Sequence, residues 1–165
     1  MAKAKKENAK ILKSSPPPKP EWWAKGVRFE CQGSGKCCVS RGQYGFVYMN
    51  LTDRKRMAKV VGLSPREFSK KHLSQTDGVW HLKEDTPNGD CRFLQGGNRC
   101  GVYEGRPEQC RTWPFWPEVM NAKTWKKEVA AYCPGIGKGK LHSAEEIAEV
   151  MERQSQSEID LINGR

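Results

Sequence analysis

Seven cysteines constrain this chain more than any other feature, because they fall in two ordered groups. Cys31, Cys37 and Cys38 form a tight set, C-x5-C-C. Cys91, Cys100, Cys110 and Cys133 follow as a spread series, C-x8-C-x9-C-x22-C. An odd number of thiols cannot all pair within one chain. Seven in 165 residues is well below the density of a small secreted disulfide scaffold. In a reducing compartment such thiols bind metal, do redox chemistry, or pack as small apolar groups.

The first 25 residues carry seven Lys against Glu7 and Glu21, which is half of the net charge of +10. This basic start lacks the apolar stretch of a secretory signal, so the expected location is cytoplasmic. No apolar run is long enough to span a bilayer, and no membrane partner is expected. Residues 1–21 read as a disordered basic tail. Its Ser14–Pro20 run is a stiff polyproline spacer, and Trp22-Trp23 mark where the chain docks on its domain. A solvated tail is the simpler reading; weak contact with nucleic acid or an acidic surface is the alternative.

Residues 22–141 read as the cysteine-bearing domain and 142–165 as a C-terminal helix. The expected class is α+β: a small, irregular, cysteine-rich domain with short strands and two short helices after the first cysteine group. Val27, Phe29 and Cys31 alternate with polar residues as in a strand, and Tyr44–Met49 reads as another. Thr52 is the expected cap of a helix over 53–61, with Met57, Val60 and Val61 inward and Gly62 as its stop. Ser64-Pro65-Arg66-Glu67 is a capping box with Pro at the first helical position, so a second helix runs to His72. Val79–Lys83 reads as a strand and Asn88-Gly89 as a turn. Short strands are expected at Cys91–Leu94, Cys100–Tyr103 and Glu128–Tyr132, with a helical turn from Pro107 through Cys110. Ser143-Ala144-Glu145-Glu146 is a second capping box. It opens a helix with Ile147, Val150, Met151 and Leu161 near one side.

Three constellations carry candidate chemistry. In Cys31-Gln32-Gly33-Ser34-Gly35-Lys36-Cys37-Cys38 the glycines let backbone amides face a metal–thiolate centre, and Lys36 would lower neighbouring thiol pKa values. Adjacent Cys37 and Cys38 fit one tetrahedral metal poorly. They read as one ligand and one buried or bridging thiol, or as ligands to two metals. Gly33–Lys36 is not a phosphate-binding loop, since Glu30 and Cys37 stand where that pattern needs Gly and Ser or Thr. Around Cys91, Cys100 and Cys110, Pro107 and Pro114 fix turns. Trp113, Phe115 and Trp116 form either an apolar wall or simply core, and Arg106 and Arg111 are candidates to offset thiolate charge. Cys133-Pro134 matches the end of ferredoxin-type runs, but the rest of that spacing is absent. His72, His81 and His142 have no ligand-like spacing. Glu84, Asp85 and Asp90 form no acid–base pair, and no Ser/His/Asp nucleophile motif is present.

Taken in order, Phe29-x-Cys31, Gly35-Lys36-Cys37-Cys38, Cys91-x-Phe93-Leu94, Cys100-x-x-Tyr103, Arg106-Pro107-x-Gln109-Cys110-Arg111, Pro114-Phe115 and Cys133-Pro134-Gly135 closely resemble the YkgJ-type cysteine-cluster family. This is the CxxCxxCC zinc- or iron-chelating domain, and the resemblance covers about residues 27–139. It implies a metal-chelating protein in which Cys31, Cys37, Cys38, Cys91, Cys100, Cys110 and Cys133 are candidate ligands of zinc or iron, including an iron–sulfur cluster. One departure stands out: Ser34 occupies a position where the family commonly has Cys. An eight-thiol site could not form here, whereas a four-thiolate site could. The alternative readings are an iron–sulfur oxidoreductase or metal-dependent modifying enzyme, and a nucleic-acid or protein adaptor with a structural metal. A thiol–disulfide role is weakest, because no C-x-x-C redox motif is present.

Overall fold

The computed structural model describes residues 21–39 and 46–164. The basic, proline-rich tail over 1–20, and the Tyr44-Gly45 part of the expected strand, lie outside the described residues. The elements are β1 (Val27–Phe29), α1 (Leu51–Val60), α2 (Pro65–His72), β2 (Leu73–Thr76), β3 (Val79–Leu82), β4 (Leu94–Gln95), β5 (Arg99–Cys100), α3 (Glu108–Thr112), α4 (Ala122–Thr124), β6 (Ile136–His142) and α5 (Ala144–Ile162). The strands form three separate antiparallel pairs, β1–β6, β2–β3 and β4–β5. The class is α+β, with the described residues divided between short helices and two-stranded ribbons.

Local chemistry sets most of these elements. α1 is capped by Asn50, whose side chain accepts from the Asp53 amide at 2.9 Å, so the helix starts before the expected Thr52. Met57 and Ala58 are buried, but Val60 is 45% exposed and rests on Gly105 instead of entering the core. Gly62, at φ +70°, ends the helix as its composition predicts. Both capping boxes form: Ser64 with Glu67 at α2, and Ser143 with Glu146 at α5.

Other expectations are corrected. Among the described residues, 46–49 contribute a single bridge, Tyr48 to His81, not a strand. β2 was not anticipated. It pairs with β3 in the register Leu73↔Leu82 to Thr76↔Val79, closed by Asp77 at φ 50° and Gly78 at φ 80°. Two successive left-handed residues make the turn that matches strand twist. Strand structure near Cys91 and Cys100 is confined to β4 and β5, and Cys91–Phe93 is a turn. The expected strand at Glu128–Tyr132 is absent. A π-helical turn, Trp125–Ala130, continues α4 there. Asn121 caps that segment through the Thr124 amide, and Trp125 and Val129, four residues apart, are buried together. The glycine-rich stretch after Cys133 is β6, which pairs Val27↔His142, Arg28↔Leu141 and Phe29↔Ile136. Gly137 and Gly139, both at positive φ, accommodate the break in that register.

Two small cores result. The first gathers Met49, Met57, Ala58, Phe68, Leu73, Leu82 and Val102, with Cys91, Phe93 and Cys100 against it. The second gathers Phe115, Met120, Trp125, Val129 and Ile147, with Val27, Phe29 and Trp113 against it. Trp22 docks on the second, its indole donating to the Met120 carbonyl at 2.7 Å and its ring 5.0 Å from Trp125. Helix α5 joins the two halves. Ile147 enters the second core, Gln154 accepts from the Thr112 hydroxyl at 2.6 Å, and Ser157 accepts from Asn50 of the first half at 3.2 Å. No described helix is long and apolar enough to cross a membrane.

Candidate metal centre

A cavity of about 1030 Å³ lies between the two cores. Met57, Leu82 and Val102 of the first core and Phe29 and Trp113 near the second all reach its wall. Cys31, Cys37, Cys38, Cys91, Cys100 and Cys110 line it as well. A smaller cavity of about 40 Å³ adjoins it, walled by Cys31, Ser34, Cys37 and Cys133. All seven predicted cysteines therefore border one of two neighbouring spaces, and each is a free thiol.

Each cysteine is placed by a different piece of chain. Cys31 follows β1. Cys37 and Cys38 lie on a 3₁₀ turn, Lys36–Cys38, entered through Gly35 at φ +67°. A Cβ on Gly35 would lie 2.6 Å from the Asn98 Cα, so only glycine lets this turn press against the β4–β5 loop. The Cys91 amide donates to the Cys38 carbonyl at 2.7 Å, which links the two sequence groups directly. Cys100 closes β5 and Cys110 sits in α3. The Cys133 amide caps the π-helical turn on the Val129 carbonyl at 2.8 Å.

The sulfurs influence one another. Cys37 and Cys38 Sγ are 3.9 Å apart. Hydrogen bonding with Cys38 lowers Cys37 to about 7, overcoming the desolvation of the cavity wall, and the Arg106 cation adds to the effect. Hydrogen bonding with Cys38 also brings Cys91 down to about 7. Cys38 is correspondingly held far above the ordinary thiol range by its bonds to Cys37 and Cys91 and by burial. Burial raises Cys100 and Cys110, with the charges of Cys91 and Cys37 adding to it. In effect, Cys37, Cys38 and Cys91 are linked through Cys38, and the half-buried Cys100 and Cys110 line the same cavity. Among the described residues, no three His, Cys, Asp or Glu side chains converge on one point as a mononuclear metal requires.

Arg106, whose guanidinium stacks 3.6 Å over Tyr103, acts on Cys37, Cys100 and Cys110, and Arg92 acts on Cys91. Lys36, expected to play that part, instead places Nζ 5.7 Å from the Tyr132 ring centre. Arg111 is occupied by the carbonyls of Arg106 and Glu104. Of the aromatic residues considered as a wall, Trp113 and Trp116 line the cavity and pack edge-on at 4.8 Å, whereas Phe115 is core. Gln109 belongs to the run around Cys110 that carries the family resemblance, but its role was not legible there. It accepts from the Tyr48 amide at 3.0 Å and so fixes the 46–48 segment over the cavity. Its signal was slight, a lone Gln between Pro107 and Cys110. Of the histidines, His81 is buried on the Leu82 carbonyl and Thr76, His142 lines the large cavity and bonds the Phe29 carbonyl, and His72 packs between Phe68 and Phe93.

Fold and site together define a small α+β protein whose thiols gather around a cavity between two minor cores and the smaller space beside it. The chain belongs to the CxxCxxCC family, described as "Putative zinc- or iron-chelating domain", whose profile matches residues 30–134. It is also similar to an uncharacterised protein of Methanocaldococcus jannaschii, 29% identical over 126 residues, covering 70% of this chain. The match spans 63% of that relative's length. No solved structure matches. The donor set suits the family's description, since thiolates are preferred ligands of both zinc and iron–sulfur centres.

Proposed function

We propose that the chain holds an iron–sulfur cluster in the large cavity through Cys38, Cys91, Cys100 and Cys110. The observation that carries this reading is the distribution of the thiols. They border one roomy space without converging on a point. A mononuclear zinc needs four donors about 2.3 Å from a single centre. A cluster is held by thiolates on separate irons, so its donors stand around a larger object. Such a group supplies one-electron chemistry when bound. The chain's own residues would do the rest. Trp113 and Trp116 exclude water from one side, Phe93 and Val102 from the other, and Arg106 offsets thiolate charge. An oxidoreductase role follows from the same reading, and the seven unpaired thiols favour a reducing, cytoplasmic setting.

A zinc–thiolate centre is the second reading, favoured by one distance. Two sulfurs bonded at about 2.3 Å to one tetrahedral zinc stand about 3.8 Å apart, close to the 3.9 Å between Cys37 and Cys38. Anaerobic purification followed by a visible spectrum and assays of iron, acid-labile sulfide and zinc decides between them. Brown protein with iron and sulfide in equal amounts supports the cluster. Colourless protein with stoichiometric zinc overturns it in favour of zinc. Folded protein with seven titratable thiols and no metal overturns both.

A further inference from the structure

Most arginines of the described residues have evident partners. Arg56 pairs with Asp53 and Glu108, Arg92 with Asp85, and Arg153 with Glu108. Arg28 and Arg111 donate to backbone carbonyls. Arg106 differs. Its guanidinium carbon lies 3.6 Å from the centre of the Tyr103 ring, and its Nε is buried with no hydrogen-bond partner among the described residues. Arg54 is arranged in the same way on Trp80, but only Arg106 of the two lines the large cavity. Stacking uses the face of a guanidinium and none of its five N–H donors, which point outward in its plane. A buried donor left unpaired is costly, so it calls for a physical reason.

The backbone beneath Arg106 is fixed in advance. Arg111 brackets it, donating from Nε to the Arg106 carbonyl at 3.0 Å and from its terminal nitrogen to the Glu104 carbonyl. A Cβ on Gly105 would lie 2.6 Å from Val60 Cγ2, so the segment sits directly on α1. Pro107 then locks the next φ, at -58°. Glu104–Pro107 is thus a preset mount for one planar cation. The cavity that Arg106 borders, about 1030 Å³, stands at the upper end of the range of small-molecule pockets, about 300–1,000 Å³. Cysteines occupy only part of its wall. Phe46, Tyr48, Trp113 and Trp116 line it as well, and such ring faces suit a flat organic body.

We propose that the large cavity also binds a small organic monocarboxylate with a flat, unsaturated or aromatic body, whose carboxylate is taken by the in-plane N–H groups of Arg106. A guanidinium meets a carboxylate through two parallel charge-assisted bonds, which fixes orientation as well as position. One cation balances one negative charge. The thiols of the same wall bring further negative charge when they ionise, so a doubly charged phosphate ester is disfavoured beside a single guanidinium. The aromatic walls then hold the body of the acid. The binding is non-covalent and needs no metal, so it goes beyond the preceding section and stands whether the thiols hold a cluster or zinc. Where the cluster reading also holds, the acid is brought into the cavity of the redox centre, as the substrate of an oxidoreductase must be.

The test is calorimetric titration of the full chain, purified anaerobically with whatever metal it holds, against three matched probes: naphthoate, the neutral naphthamide, and naphthyl phosphate. Wild type is expected to bind one naphthoate per chain, and naphthamide about tenfold more weakly or worse, as loss of a charged hydrogen-bonded pair requires. Arg106→Gln should weaken naphthoate by a similar factor and leave naphthamide unchanged. Arg99→Gln, which removes an exposed cation from the same wall, should leave both unchanged. No saturable binding of naphthoate overturns the proposal, as do equal affinities for acid and amide. Naphthoate binding that survives Arg106→Gln places the carboxylate elsewhere, on the metal or another cation, and overturns it too. Equal losses in Arg99→Gln and Arg106→Gln would show a diffuse field instead of a site. Naphthyl phosphate binding more tightly than naphthoate overturns the choice of a carboxylate. The comparison of acid with amide needs no variant, so a misfolded Arg106→Gln leaves the test standing. Arg106→Lys, which keeps the charge and loses the fork, then takes its place and should bind naphthoate more weakly than wild type. Iron, sulfide and zinc are assayed separately, so this proposal and the metal reading fail independently.

Discussion

Replacing Gly35 by Ala tests whether the cysteine turn is held by backbone contact with the β4–β5 loop. Two costs apply. Gly35 has φ +67°, and forcing an L-residue into the left-handed region costs about 1–2 kcal/mol. The new Cβ would also meet backbone, 2.6 Å from the Asn98 Cα and 2.8 Å from the Gly97 carbonyl oxygen. Neither atom can swing aside as a side-chain tip does, so overpacking adds about 1–3 kcal/mol. Gly62→Ala supplies the control. Its φ is +70°, but nothing lies within 4 Å of the added Cβ, so only the conformational cost applies. Urea denaturation of both variants and the wild type, in the same metal state, should place Gly35→Ala about 1–3 kcal/mol below Gly62→Ala. The metal content of Gly35→Ala should fall too, because the turn carries Cys37 and Cys38. Equal midpoints for the two variants would refute the close approach, and with it the account of how the two cysteine groups are brought together.

Asp53 is buried, and desolvation raises its pKa from 3.8 to about 6 despite hydrogen bonds from Glu108 and Asn50 segments and the charge of Arg56. Between those values the native state holds a proton that the unfolded chain has lost, so stability falls as pH rises from about 4 to 6. Asp53→Asn keeps the acceptor for the Glu108 amide and removes the titration. The stability difference between wild type and variant should therefore change by about 2 kcal/mol between pH 4 and pH 7, and parallel pH profiles in urea titrations would contradict this. Asn50→Ala should cost about 1–2 kcal/mol through loss of the α1 cap, while Thr52→Ala, at an exposed position, should be near neutral; thermal melts that reverse this order would show the cap to be misassigned. Metal affinity of the reduced, metal-free chain should weaken as pH is lowered from 8 to 6, because Cys37 and Cys91, both near 7, take up protons that compete with metal. A chelator competition at two pH values measures this, and affinity that does not change with pH would mean that other donors hold the ion.

Legibility in the sequence followed the range of the forces involved. Both capping boxes were readable because a cap is decided within four residues, and Ser64–Glu67 and Ser143–Glu146 carry the whole interaction. The Asp77-Gly78 hairpin had an equally local turn, yet β2 was hidden because it follows α2 without a break and has only Leu73 as a buried anchor. Glu128–Tyr132 looked like a strand from its composition. The Asn121 cap seven residues earlier, and the burial of Trp125 with Val129, made it helical instead. β6 was obscured by its glycines, which serve a bulge. At the site, the residue types were plain and their grouping was not. Nothing in the spacing tells that Ser34 and Cys133 share one wall, or that Cys38 meets Cys91, because those contacts are made by backbone approaches between segments far apart in sequence. Which arginine faces the thiols was likewise open until Arg111 was seen to be engaged by carbonyls and Arg106 was not.

Helix α5 leaves the ribosome after all seven cysteines have been made. It is also the strut that spans both cores, through Ile147 at one end and the Gln154 and Ser157 bonds at the other. Until it docks, the halves on either side of the large cavity lack that tie, so their spacing is set last, by the segment made last.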